Sequence, residues 1–141
     1  MSEPRRLQVL VGRWKTEGQT RGEPLRIDAT DTYEWLPGGY ALLHTVDAHV
    51  GDQKVDGAEI IGCDPARGAY STLYFGSDGP NAYEAELTEE DGTLFWRMRS
   101  EHDRFEGIFN DDRSVITGHW EQLQSGEWRP WMDVTLTRQA T

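Results

Sequence analysis

Leu10-Val11-Gly12-Arg13-Trp14, near the start of the chain, is answered at the other end by Thr135-Leu136-Thr137-Arg138, and the sequence between reads as one short strand after another. From Gly12 onward the polarity period is two. Trp14, Thr16 and Gly18 alternate with Arg13, Lys15 and Glu17, so Trp14 faces inward. In the last run Trp128, Pro130, Met132, Val134, Leu136 and Arg138 share one parity. An Arg at the end of an apolar face needs a reason, and barrel closure supplies one. The first and last strands of an up-and-down barrel pair, so Trp14 and Arg138 are expected to meet, guanidinium over indole, for ~0.5–2 kcal/mol.

The intervening segments carry the same alternation. Ile27, Ala29, Asp31, Tyr33 and Trp35 form the expected inner set of a run over Leu25 to Leu36, and Leu42, His44, Val46 and Ala48 share a face in the run Tyr40 to Val50. Pro37-Gly38-Gly39 and Gly51-Asp52 are turn signals. Runs Lys54 to Cys63 and Ala69 to Phe75 follow, before a turn at Ser77-Asp78-Gly79-Pro80. Tyr83, Ala85 and Leu87, then Leu94, Trp96 and Met98, then Phe105, Gly107 and Phe109 alternate with Glu and Arg, which are expected to pair across strands on the outside. With Ser114 to Leu123 and the final run, roughly ten antiparallel strands result, at the spacing of about 8–12 residues typical of a sandwich or barrel. Before them Ser2 and Pro4 open a short helix, with Leu7, Leu10 and Val11 on one face, read as a plug over one barrel end.

The 141 residues make a single domain, 1–141, long enough to bury one core or cavity. Only 36% are hydrophobic and mean hydropathy is −0.72, yet 11% are aromatic, six of them Trp, a load that disordered chains rarely carry. Fourteen Lys and Arg against 25 Asp and Glu give a net charge of −11, which repels phosphate backbones and argues against nucleic acid as a partner. The lone Cys63 excludes an intramolecular disulfide, and neither a signal peptide nor an apolar run of the roughly 20 residues that span a bilayer is present. The expectation is a cytoplasmic protein without membrane insertion.

Gly12-Arg13-Trp14 under a basic residue of the last strand, after a short helix, resembles the calycin superfamily: lipocalins, fatty-acid-binding proteins and nitrobindin-like barrels. Trp35-Leu36-Pro37-Gly38-Gly39 and Trp120-Glu121 add a closer likeness to a bacterial domain family of unknown function, over nearly the whole chain. The resemblance implies an all-β, antiparallel, lipocalin-like barrel, and it implies no substrate. Lipocalin disulfides are absent, and the first motif is less glycine-rich than in nitrobindin-like members, whose late-strand His binds haem. His119 is the residue in a comparable region here, so haem ligation by His119 is the weaker alternative. No cofactor or metal is otherwise expected.

Hydrolase, redox, zinc and phosphate-loop motifs are absent, and Asp111-Asp112-Arg113-Ser114 reads as a turn. The expected lining of a ligand cavity is Tyr33, Trp35, Leu42, His44, Tyr83, Trp96, Met98, Phe105 and Met132, which suits a small hydrophobic or aromatic molecule with one polar handle. The alternative reading fills the barrel with these same side chains. His44 titrates near neutrality and sits mid-strand. Paired with Glu59 or Asp31 it would make a proton-transfer enzyme of isomerase or cyclase type, although the register around Glu59 is open, its neighbours allowing either face. The direction of His119 is likewise undecided. His49 and His102 lie near turns and face water. A third reading is a homodimer whose contact surface carries Trp128 or Trp131, since adjacent parities force one of them outward.

Overall fold

The computed structural model describes residues 4–140. A 3-10 helix, Pro4–Leu10, precedes ten strands: β1 (Gly12–Thr20), β2 (Arg26–Trp35), β3 (Ala41–Val50), β4 (Gln53–Asp64), β5 (Ala69–Gly76), β6 (Gly79–Glu90), β7 (Thr93–Arg99), β8 (Asp103–Phe109), β9 (Val115–Gln124) and β10 (Glu127–Arg138). Each strand pairs antiparallel with the next, and β1 pairs with β10, so the sheet closes on itself without an edge. The turn chemistry is local. Asp91-Gly92 and Ser125-Gly126 are two-residue loops with positive φ at both positions (52° and 81°, 52° and 79°), the type I′ geometry that matches strand twist.

The closing register sets Trp14 opposite Arg138, as the two parities predict. Trp14 is fully buried, and its indole N–H donates to the Leu10 carbonyl at 2.9 Å. The Arg138 guanidinium lies 4.2 Å from the Trp14 ring centroid and donates to the carbonyls of Val11 (2.6 Å), Val9 (2.7 Å) and Arg113 (3.3 Å). One side chain therefore joins the last strand to the helix, to the residue that leads into β1 and to the β8–β9 turn. Gly12 is glycine for two reasons: its φ is +131°, and a Cβ there would lie 2.9 Å from the Arg138 guanidinium. Under this clamp the helix places Leu7 and Leu10, which eclipse at i and i+3 in a 3-10 turn, fully inside the closed end. Val11 is only half-buried, and the Ser2 cap lies outside the described residues.

Inward parity holds for β1, β2, β3, β6, β7 and β8 as the alternation predicts, and the expected Glu–Arg pairs form outside, Arg97 with Glu106 at 2.8 Å and Arg104 with Glu121 at 2.7 Å. On β4 the open register resolves with Glu59 and Ile61 inside and Ile60 outside. On β9 Ile116 and Gly118 are buried, so His119 faces out.

The single parity expected along β10 fails. A bulge between Pro130 and Met132 inserts Trp131 as an extra residue, so Met132 pairs with inward Trp120 while Pro130 pairs with outward Glu121. Trp128 is thereby turned outside, where Arg104 stacks on it at 4.4 Å, and Trp131 reaches Trp120 edge-on at 6.3 Å. Both are half-buried, and Trp128 is the one of the two that is turned outward.

Replacing Arg138 by Met, which keeps the apolar stem but removes every donor, should cost about 2–3 kcal/mol by stranding buried carbonyls. Chemical denaturation followed by tryptophan fluorescence measures this. A loss below about 0.5 kcal/mol, the scatter of ordinary surface changes, would show that closure does not depend on the guanidinium.

Candidate functional site

Above the apolar floor formed by Trp14, Leu42 and Ile61, the inner faces of β1 to β5 turn polar. Thr16, Asp31, His44, Glu59 and Thr72 are all buried, one from each of five consecutive strands. Register explains the convergence. His44 lies directly opposite Glu59 across β3–β4 and opposite Tyr33 across β2–β3, which leaves Asp31 as its diagonal neighbour. His44 Nδ1 is 2.9 Å from Glu59 Oε1, and Nε2 is 2.7 Å from Asp31 Oδ1. The second oxygen of each carboxylate accepts from a hydroxyl, Thr16 for Asp31 and Thr72 (2.8 Å) for Glu59. Four acceptor oxygens thus meet four donors. Carboxylates only accept, so two of them on opposite ring nitrogens fit an imidazolium that carries hydrogen on both.

Burial by itself would push the His44 pKa down, but its hydrogen bonds to Asp31 and Glu59, with their charges, outweigh that and raise it to about 9. The Tyr33 ring stacks on the imidazole, centroids 4.0 Å apart and planes 7° from parallel. Its hydroxyl is pushed to a higher pKa by burial and then by the charges of Asp31 and Glu59. Burial and the same carboxylates raise Tyr74, which lies opposite Glu59 on β5. The Tyr74 hydroxyl leans over Gly57, where a Cβ would meet it at 2.0 Å, so only glycine leaves that space.

The opposite inner wall, from β6 to β10, is aromatic. Tyr83 packs edge-on to Trp120 at 6.1 Å, and Phe105 lies 4.9 Å from the same indole. A Cβ on Gly118 would lie 2.5 Å from the Phe105 ring, so a glycine again makes the room. At its polar tip Tyr83 bonds Asn81 (2.9 Å) and Asp103 (3.1 Å). The end away from the helix is the open one. There inward Val46, Gly57, Tyr74, Asn81, Trp120 and Met132 are half-exposed, while Ile27, Ala29 and Ala48 at the same end stay buried.

Of the expected lining, Tyr33, Leu42, Tyr83, Trp96, Met98 and Phe105 are all buried members of one core cluster, His44 is buried in the polar band, and Met132 is half-exposed. Trp35 is set apart: its strand ends beside the helix, its indole N–H donates to Gln8 Oε1 at 2.7 Å, and with Arg5 and Tyr40 it walls an outer cleft of about 430 Å³. His119 does not reach the lumen. It binds Asp133 at 2.8 Å on the outer wall, so a haem inside the barrel could not be held by it. Trp120, Thr16, Thr72 and Tyr74 stand in these walls but lie outside the lining that the sequence predicts. On β5 Leu73 and Phe75 point outward and Thr72 and Tyr74 inward, a polarity opposite to what alternation leads one to expect. Among the described residues no His, Cys, Asp and Glu group has the arrangement of a metal site, and Asp111 to Ser114 is a turn tied by Asn110 Oδ1 to the backbone N–H groups of Ser114 and Val115.

A histidine whose pKa rises on folding contributes its full stability below the unfolded value of 6.5 and loses it as pH climbs through about 9. Stability should therefore fall between about pH 6.5 and 9, by on the order of 3 kcal/mol, as read by thermal or urea unfolding. In His44→Gln this slope should be absent and the protein destabilised at neutral pH by about 3–5 kcal/mol, the cost of leaving buried carboxylates without their cation. An unchanged slope in the variant would place the titrating group elsewhere.

Two solved structures share this architecture. One, described as the crystal structure of Rv2717c from M. tuberculosis, superposes with a TM-score of 0.75 at 11% identity, covering 99% of each chain. The other, the S-type phycobiliprotein lyase CPES from Guillardia theta, gives 0.65 at 10% identity, over 100% of this chain and 94% of that one. At such identities the likeness is one of fold, a calycin-like barrel. No curated protein matches the sequence significantly. A family model described as "Protein of unknown function (DUF1579)" matches residues 1–138, and the chain belongs to that family.

Proposed function

We propose that the barrel binds a small, largely apolar or aromatic molecule at its open end. The observation that carries this reading is the division of the inner wall. A charged, hydrogen-bonded band on β1 to β5 faces an aromatic wall on β6 to β10, and several inward residues at the end away from the helix are half-exposed. Such a site grips a flat apolar body on one side and orients a polar handle on the other. The two carboxylates and one imidazolium carry a net negative charge, so the handle that fits is a donor or a cation. The phycobiliprotein lyase neighbour supports a barrel that handles a small molecule, and the lone Cys63 suits a reducing cytoplasm.

Proton transfer is the second reading, favoured by the hydrogen-bond reach among His44, Asp31 and Glu59. An imidazolium with both N–H groups engaged has no lone pair to act as a base. Chemistry would begin only after a ligand displaced one carboxylate from the ring. Binding is the simpler use of the same geometry.

The neutral dye N-phenylnaphthylamine should bind saturably with one-to-one stoichiometry and quench tryptophan emission. Ala48→Leu, which adds bulk to the inner wall, should weaken the dye at least tenfold, whereas Trp35→Ala, outside the lumen, should leave it unchanged. Native mass spectrometry of protein purified from its own host should show a retained mass. A bare chain together with no dye uptake would sink the proposal, and loss of dye in Trp35→Ala would move the site to the outer cleft.

A further inference from the structure

The outer wall is as divided as the inner one. From β6 to β9 it is a ladder of paired Glu and Arg, but across the middle of β3 to β5 and the start of β6 apolar side chains replace the charges, bordered by Asp47, Lys54 and Asp56 on one side and Glu84 on the other. One row across four strands reads Leu43, Ile60, Leu73, Ala82, and the next reads Thr45, Ala58, Phe75, Pro80. In the row on the helix side, Ala41, Gly62 and Ser71 lead to Glu84, whose charge is tied to Arg67 at 2.9 Å. Eleven of these twelve adjoining outward positions are uncharged in a chain whose residues are 28% charged. Ile60, Leu73 and Phe75 are 48%, 40% and 51% exposed. These three side chains present roughly 300 Å² of apolar surface, as much as the largest patch on a typical monomer.

We propose that this face is the contact surface between two copies of the chain. A two-fold interface must complement itself, and this face carries the mix of large and small side chains that such packing uses. Ile60, Leu73 and Phe75 stand as knobs, while Ala58, Gly62, Ser71 and Ala82 beside them leave hollows for the partner's knobs. Two such faces pack as sheets do, side chains interdigitating about 10 Å apart. Charge argues in the same direction. Each copy carries −11 overall, so two copies can approach closely only where neither presents a net charge, and this is such a place. The footprint falls short of the ~800 Å² per partner of a standard stable complex, so the dimer is weak and forms reversibly.

Sedimentation velocity tests this on the full chain. The weight-average mass should rise from 16.1 kDa towards twice that value as concentration goes from about 10 μM to about 1 mM, the range of weak association. Because the opposing force is long-range repulsion, added salt should strengthen the association, the reverse of an ion-paired dimer. Leu73→Glu should hold the chain at monomer mass. Phe75→Ser does the same with a milder change if the first variant misfolds, and circular dichroism checks that the barrel persists. Leu123→Glu, at another exposed leucine outside the patch, should leave the association unchanged. A monomer at every concentration in high salt would overturn the proposal. So would a dimer that survives both patch variants, or monomeric protein that instead co-sediments with neutral phosphatidylcholine vesicles.

Discussion

A ten-stranded sheet becomes a barrel only if its first and last strands pair, and here one guanidinium makes that pairing specific. Arg138 is held over Trp14 and is bonded to carbonyls of the helix region, the β1 approach and the β8–β9 turn. It satisfies backbone groups that a closed end would otherwise bury without partners, which hydrogen bonding in low dielectric makes costly to leave. Slipping β10 by one residue would turn Arg138 outward and Val134 and Leu136 with it, so register, plug and core are set together.

With one end sealed, the interior can hold charge that an open sheet could not. The Asp31–His44–Glu59 network is an expensive way to fill a barrel, since well-packed apolar residues of the same volume are often as stable or more so. Every polar atom in it nevertheless has a partner, and the Tyr33 ring covers the imidazole face. The arrangement fixes which inner wall is polar and which is aromatic. That asymmetry is the property a binding site needs.

The outer wall repeats the theme without the same cause. Cross-strand Glu–Arg pairs keep one side solvated, while β3 to β5 present aliphatic and aromatic side chains at positions that period-two patterning would assign to polar residues. Around Ile60–Ile61 β4 is apolar on both faces, and this is why its register could not be decided from alternation. Where one face is polar, as on β6 and β7, the alternation is unambiguous.

The sequence by itself determined the strand count, the turn positions, the inward parity of most strands and the meeting of Trp14 with Arg138, because each of these follows from local periodicity and strand adjacency. It also brought His44, Asp31 and Glu59 into view as candidates. Only the tertiary structure decided that Glu59 faces inward, that both carboxylates engage the same imidazole, that Thr16 and Thr72 complete them, and that a bulge at Trp131 turns Trp128 outside. The physical reason is that these depend on which residues stand opposite one another across strands. Cross-strand register is set by the summed packing of the closed barrel, a quantity that no single segment carries.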